Sequence, residues 1–329
     1  MTDPRRRVGF TTTIPVEILY AGGCAPVDLN NVFIASDRPE EYVRQAESEG
    51  FPRNCCGWIK GIYGVVHRHG FRQVIAVTQG DCSFTQALME VLQYRGVSVV
   101  PFAFPFDRDP GSLSLELSKM ADRFGTTLPE AERWKERLDA VRRIAHEIDR
   151  LTWEEGKVSG EENHRWLVAC SDFEGDPDGY ALRAERFLAE AAARPGRTGP
   201  VPLAFVGVPP IVSGLHACFE EAGARVVLNE VQRQFSMPFR TESLVGQYLA
   251  YTYPYSFFER IRDIRAEVAR RGARGVVHYV QSFCFRQIED ILLRGEVGVP
   301  VLTLEGESPG AVDERTRIRI QAFVEMLGG

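Results

Sequence analysis

Cysteine is the residue type in this chain whose number and placement point most directly to chemistry: seven fall among 329 residues. The odd count argues against complete disulfide pairing. The opening MTDPRRRVGF lacks the apolar stretch of a secretory signal, so the expectation is a cytoplasmic protein with reduced thiols. Such thiols are either metal ligands or small buried apolar residues. Cys82 and Cys284 each follow a β-branched run ending in Gln-x-x-Cys, and each precedes a stretch with helical apolar spacing. Adjacent Cys55 and Cys56 open a third such stretch after Pro52, Arg53 and Asn54. A helix amino end carries partial positive charge and lowers a thiol's pKa, so these sulfurs are expected to be thiolates. Cys24 and Cys218 are expected in the core, while Cys170, after the apolar run Trp166 to Ala169, remains open. Cys-x-x-Cys and His-Glu-x-x-His spacings are absent, which disfavours structural zinc. Widely separated thiolates without histidine suit an iron-sulfur cluster, and three ligands on a four-iron cube leave one iron for a substrate. There is no Gly-x-Gly-x-x-Gly after the first strand and no P-loop, so a nucleotide site is not supported. A cysteine nucleophile would need a histidine partner; of the six histidines only His278 leads toward Cys284, at ~20 Å along a strand, and it reads as a core residue.

Sulfurs this far apart in sequence meet only if the fold brings strand ends together, as an open parallel sheet does. Apolar runs at Val8 to Thr12, Val32 to Ala35, Val74 to Thr78 and Val97 to Phe102 read as strands of a first α/β unit, residues 1–112. Trp166 to Ala169, Leu203 to Val208, Arg225 to Leu228, Gly275 to Gln281 and Val299 to Leu304 read as strands of a second, residues 166–329. Between them, 113–165 has helical spacing and reads as a helical insert. Offsetting the chain by 202 residues lays 72–102 over 274–304 without a gap, matching Gln79 with Gln281 and Cys82 with Cys284. A looser match sets residues near the start against 206–228, each reading strand, Pro, helix, Gly, strand. The expected fold is therefore two Rossmann-like or flavodoxin-like parallel-sheet domains, a tandem duplication, joined by a helical insert. With 39 Lys+Arg against 45 Asp+Glu, the net charge of −6 supplies no field for nucleic acid, and no apolar run is long enough to span a membrane.

These residues resemble the 2-hydroxyacyl-CoA dehydratase D-component family, which also contains benzoyl-CoA reductase subunits and double-cubane cluster proteins. TTTIPVEILYAGGCAPVDL is similar to the family's opening, CCGWIKG to its first ligand segment and GDCSFTQAL to its second; VQSFCFRQIEDILLRGEVGVPVLTLEGESPG with RTRIRIQAFVEML resembles its close. The resemblance covers nearly the whole chain. It implies a 4Fe-4S cluster held by Cys56, rather than Cys55, with Cys82 and Cys284, in a cleft between two α/β domains. It also implies an oxygen-sensitive lyase: an ATP-dependent iron-sulfur activator supplies one electron to the thioester carbonyl of a 2-hydroxyacyl-CoA, and the ketyl radical expels the hydroxyl. A homologous second subunit, or a second copy, completes such enzymes. Thr11, Thr12, Thr13 and Glu17 are expected to face the same cleft, with Thr12 and Glu17 as candidate catalytic residues; an acid at a helix amino end is the plainer reading of Glu17. The alternatives are a double-cubane 8Fe-9S cluster reductase recruiting Cys55, Cys170 and one more cysteine, a benzoyl-CoA reductase-like subunit, and a cluster-free two-domain binding module.

Overall fold

The alternation of short apolar runs with helices resolves into two separate sheets in the computed structural model, which describes residues 6–197 and 199–329. The first five residues of the 1–112 unit lie outside it. The first sheet contains β1 (Arg7–Phe10), β2 (Ala25–Asp28), β3 (Gln73–Gln79) and β4 (Ser98–Ala103) in the order β2-β1-β3-β4, all parallel. The second contains β5 (Val201–Gly207), β7 (Ala224–Asn229), β8 (Gly275–Gln281) and β9 (Val301–Gly306) in the order β7-β5-β8-β9, also parallel. A two-residue pairing of β6 (Val212–Ser213) with β10 (Gly310–Ala311) stands beside it. Both sheets thus run second, first, third, fourth strand, which is the flavodoxin-like order with its switch point between the first and third strands. The offset of 202 superposes β3 on β8 residue for residue and β4 on β9 with a slip of one.

Strand side chains alternate between opposite faces, and here both faces are covered. Leu203 and Phe205 of β5 enter one core with Tyr279, whereas Ala204 and Val206 enter another with Val276. In the first sheet, Ile75 and Val77 of β3 join the largest core and Val74 the one beneath helix Gly57–His69. The helices Pro110–Arg123, Leu128–Trp153, Gly160–Val168 and Pro177–Ala192 lie between the sheets in sequence. Thr127 with Glu130 and Ser159 with Glu162 form reciprocal capping boxes that fix where two of them start. Among the described residues, no helix is long and apolar enough to cross a membrane.

Two strand expectations are corrected. Val32 to Ala35 lies at the end of helix Leu29–Ile34, whose Leu29 and Phe33 share a buried face, and the strand is instead β2, four residues upstream. Trp166 to Ala169 is the last turn of helix Gly160–Val168 passing into a short 3-10 turn. A four-residue apolar run is compatible with either structure, and the capping residues Asp28 and Ser159 decide it.

Candidate metal centre

Loops leaving β1, β3, β5 and β8, the two central strands of each sheet, converge with the start of helix Gly57–His69 around a cavity of about 130 Å³. That is roughly ten times the ~10–15 Å³ a single water needs. Cys56, Cys82 and Cys284 all line it. Each is the residue at which a helix begins: Cys56 before Gly57–His69, Cys82 before Ser83–Tyr94, and Cys284 before the 3-10 turn Phe285–Glu289. The bends that aim them are built locally. Gly80, at φ +99°, lets the chain leave β3, and a side chain there would meet Pro254 at 2.8 Å. Asp81 then accepts from the Cys82 amide at 2.8 Å and the Thr85 hydroxyl at 2.9 Å, closing the turn. On the other side, Phe283 takes a left-handed conformation, φ 66°, and the Cys284 amide donates to the Gln281 carbonyl at 3.0 Å.

The expected thiolates are corrected for the metal-free chain. Burial pushes Cys56 up to about 12 and Cys82 up to about 11, and it raises Cys284 too. The helix-end amides of Trp58, Ile59, Phe84, Thr85 and Arg286 act in the opposite sense, but desolvation of a charged sulfur outweighs them. Cys82 and Cys284 raise Cys56 further, which places Cys56 within electrostatic reach of both.

All seven cysteines are free. Among the described residues, no three His, Cys, Asp or Glu side chains converge as they would around a single ion. Three sulfurs set around one cavity without gathering as the ligands of a single ion fit a polynuclear iron-sulfur group better than zinc. Two more features suit an anionic occupant. The indole Nε1–H of Trp58, on a cavity-lining residue, is buried without a protein partner. The guanidinium of Arg286, also on the cavity wall, stacks 4.1 Å from the Tyr253 ring and donates to the Tyr253 carbonyl at 2.7 Å and to Glu289 at 2.9 Å, close enough to act on both Cys284 and Asp81. Metal loading here must displace the thiol protons.

Thr11, Thr12 and Thr13 line the cavity; Glu17 does not. Its side chain, fully buried in the first turn of helix Val16–Ala21, turns the other way and accepts from Arg142 at 2.7 Å, Gln247 at 2.8 Å and Tyr248 at 2.8 Å. Cys55 is buried beside Cys56 but outside the cavity lining. Cys170 packs in the core, with Sγ 3.3 Å from the Tyr180 hydroxyl. Cys24 is half-buried against the first core and Cys218 is buried in another, and His278 is buried with Nδ1 2.7 Å from Asp290. Sequence reasoning missed Arg286, Trp58 and His164 at the cavity wall. Arg286 and Trp58 each had a usable signal, standing two positions after a candidate ligand; His164 comes from a helix in a segment without site motifs.

A family model described as 2-hydroxyglutaryl-CoA dehydratase, D-component, matches residues 11–327. No curated protein matches the chain.

Proposed function

Because the chain belongs to the 2-hydroxyglutaryl-CoA dehydratase D-component family, we propose that it is the iron-sulfur subunit of a 2-hydroxyacyl-CoA dehydratase-type enzyme, with Cys56, Cys82 and Cys284 as ligands of a 4Fe-4S cluster. The observation that carries this reading is the meeting of three free thiols, from three distant segments, in one cavity at the carboxyl ends of both sheets. Held by these cysteines, such a cluster would supply low-potential one-electron chemistry for removal of the hydroxyl group from a 2-hydroxyacyl-CoA, with an ATP-dependent iron-sulfur activator as the electron donor. Arg286 offsets negative charge next to Cys284. Thr12 is the hydroxyl we assign to the substrate. Glu17 acts one layer back: the Tyr248 hydroxyl lies 2.8 Å from Glu17 and 2.9 Å from the Ile14 carbonyl, its one proton shared between them, so the Glu17 network holds the Thr11–Thr13 loop in place. A homologous second subunit or a second copy of this chain completes the enzyme.

A double-cubane group would call on Cys55 and Cys170, and the core position of Cys170 favours the single cube. Iron and acid-labile sulfide per chain, measured after anaerobic purification, test the assignment. About four of each are expected, falling sharply in Cys82→Ala and Cys284→Ala but not in Cys170→Ala. About eight would move the assignment to the double-cubane branch, including its reductases. None, in a folded protein, would leave a cluster-free binding module.

A further inference from the structure

A second cavity of about 810 Å³ lies between the first sheet and the helices Gly160–Val168 and Leu215–Glu221. It shares Asn31, Ile34, His164, Val168 and Pro210 with the thiol-lined cavity. A ligand that occupies both the larger and the smaller chamber must pass these five residues, which would serve as its neck. Ile34, Val168 and Pro210 are apolar there. Asn31 spends its amide hydrogens on the Val168 carbonyl at 3.4 Å and the Ser171 hydroxyl at 3.1 Å. His164 is different. Its Nδ1 lies 2.8 Å from the Gln232 side-chain nitrogen; with that amide N–H as the donor, the proton of the neutral ring falls on Nε2. Its ring is also braced by His216, with centroids 5.3 Å apart, and His216 in turn is held by Asn229 at 3.1 Å. Nε2 has no partner among the described residues and is not sealed from the cavities. Burial, then His216 and Arg165, push His164 down to about 3, so the ring enters neutral chemistry as a donor and not as a cation.

We propose that His164 Nε2–H donates a hydrogen bond to the thioester carbonyl oxygen of a 2-hydroxyacyl-CoA threaded through this neck, its acyl end in the inner chamber and its CoA portion in the outer one. The assignment rests on the reading of the inner cavity as the cluster site. A carbonyl passing an apolar constriction needs a donor to replace the water it sheds, and His164 is the neck side chain with an N–H to spare. A preorganised neutral donor at that oxygen also stabilises negative charge developing on it during reduction.

Two isosteric substitutions separate this role from a structural one. Glutamine presents an N–H where Nε2 stood but loses the acceptor for Gln232; asparagine keeps that acceptor and loses the donor. Calorimetric titration of the anaerobically purified holoenzyme with 2-hydroxyglutaryl-CoA, and with coenzyme A as a probe lacking the carbonyl, reads the difference. His164→Gln is expected to bind the thioester nearly as wild type does, and His164→Asn about tenfold more weakly, with both binding coenzyme A unchanged. Wild-type affinity in His164→Asn with loss in His164→Gln would assign His164 to bracing Gln232 and overturn the proposal, as would no change in either. An iron-replete wild type that fails to bind the thioester overturns the neck assignment and leaves the cluster reading intact. An iron-free wild type that binds it, with the Gln and Asn variants behaving as expected, does the reverse.

Discussion

Asp28 and Asp172 bring two carboxyl groups together where the cavities meet the first sheet: Asp172 Oδ2 accepts from the Asp28 amide at 2.7 Å. Burial and then the neighbouring Asp28 push Asp172 up to about 7, and burial raises Asp28 as well. A carboxyl group with a folded pKa above its unfolded value of ~3.9 binds more protons folded than unfolded between those values. Its contribution to stability is thus fully present below about pH 4 and is lost as pH rises through about 7. The wild-type urea midpoint is expected to fall between pH 5 and pH 8, and Asp172→Asn, which keeps an acceptor for the Asp28 amide, flattens that slope. An equally steep slope in the variant would assign it to other groups. None of this was legible in the sequence, because Asp28 and Asp172 become neighbours only when a strand end meets a loop 144 positions away. The thiols were legible because each carried local grammar: a strand before it and a helix after it. What the sequence could not reveal was how deeply they are buried, and burial reverses the expected direction of their acidity.

At the scale of elements, the central strands were the readable part. The duplicated run located β8 to the residue and β3 to within one residue at each end, since both are largely buried and rich in β-branched side chains. The edge strand β2 was obscured by Pro26, which an edge position tolerates and which carries no strand signal. How the elements touch was equally hidden. Gly57, the first residue of the helix that Cys56 opens, packs so tightly against the second sheet's loops that a Cβ would sit 2.6 Å from the Glu307 carbonyl oxygen and 3.0 Å from Ile211. Gly57→Ala is therefore expected to cost about 1–3 kcal/mol and, by pushing the Cys56 turn away from Cys284, to lower iron per chain. Gly295→Ala, in a helix with open space around it, serves as the control and is expected to be neutral or stabilising. Denaturation midpoints and iron content read both effects, and full loading in Gly57→Ala would show that the contact does not set the thiol geometry.

Across the whole molecule, Glu17 and Arg142 join three segments: helix Val16–Ala21, the long helix Leu128–Trp153 and helix Leu244–Ala250, through Gln247 and Tyr248. Both side chains of the ion pair are buried, at 0% and 1% exposure, so removing one partner strands the other's charge. Arg142→Met is expected to destabilise by about 3–5 kcal/mol, and the double variant Glu17→Gln/Arg142→Met by distinctly less. A double variant as unstable as the single one, by chemical denaturation, would place the loss in packing and not in the uncompensated charge. The spacing of the sulfurs has another consequence. Cys82 and Cys284 are 202 positions apart, and in the proposed enzyme one inorganic group grips both. To the unfolded chain such a group is a tether, forbidding most arrangements in which the ends of that long segment wander apart; chain statistics set the lost freedom at about 5 kcal/mol for a loop this large. In that proposed enzyme, oxygen dismantling the group would cut the tether together with the chemistry, and damage at one small cavity would become looseness throughout the chain.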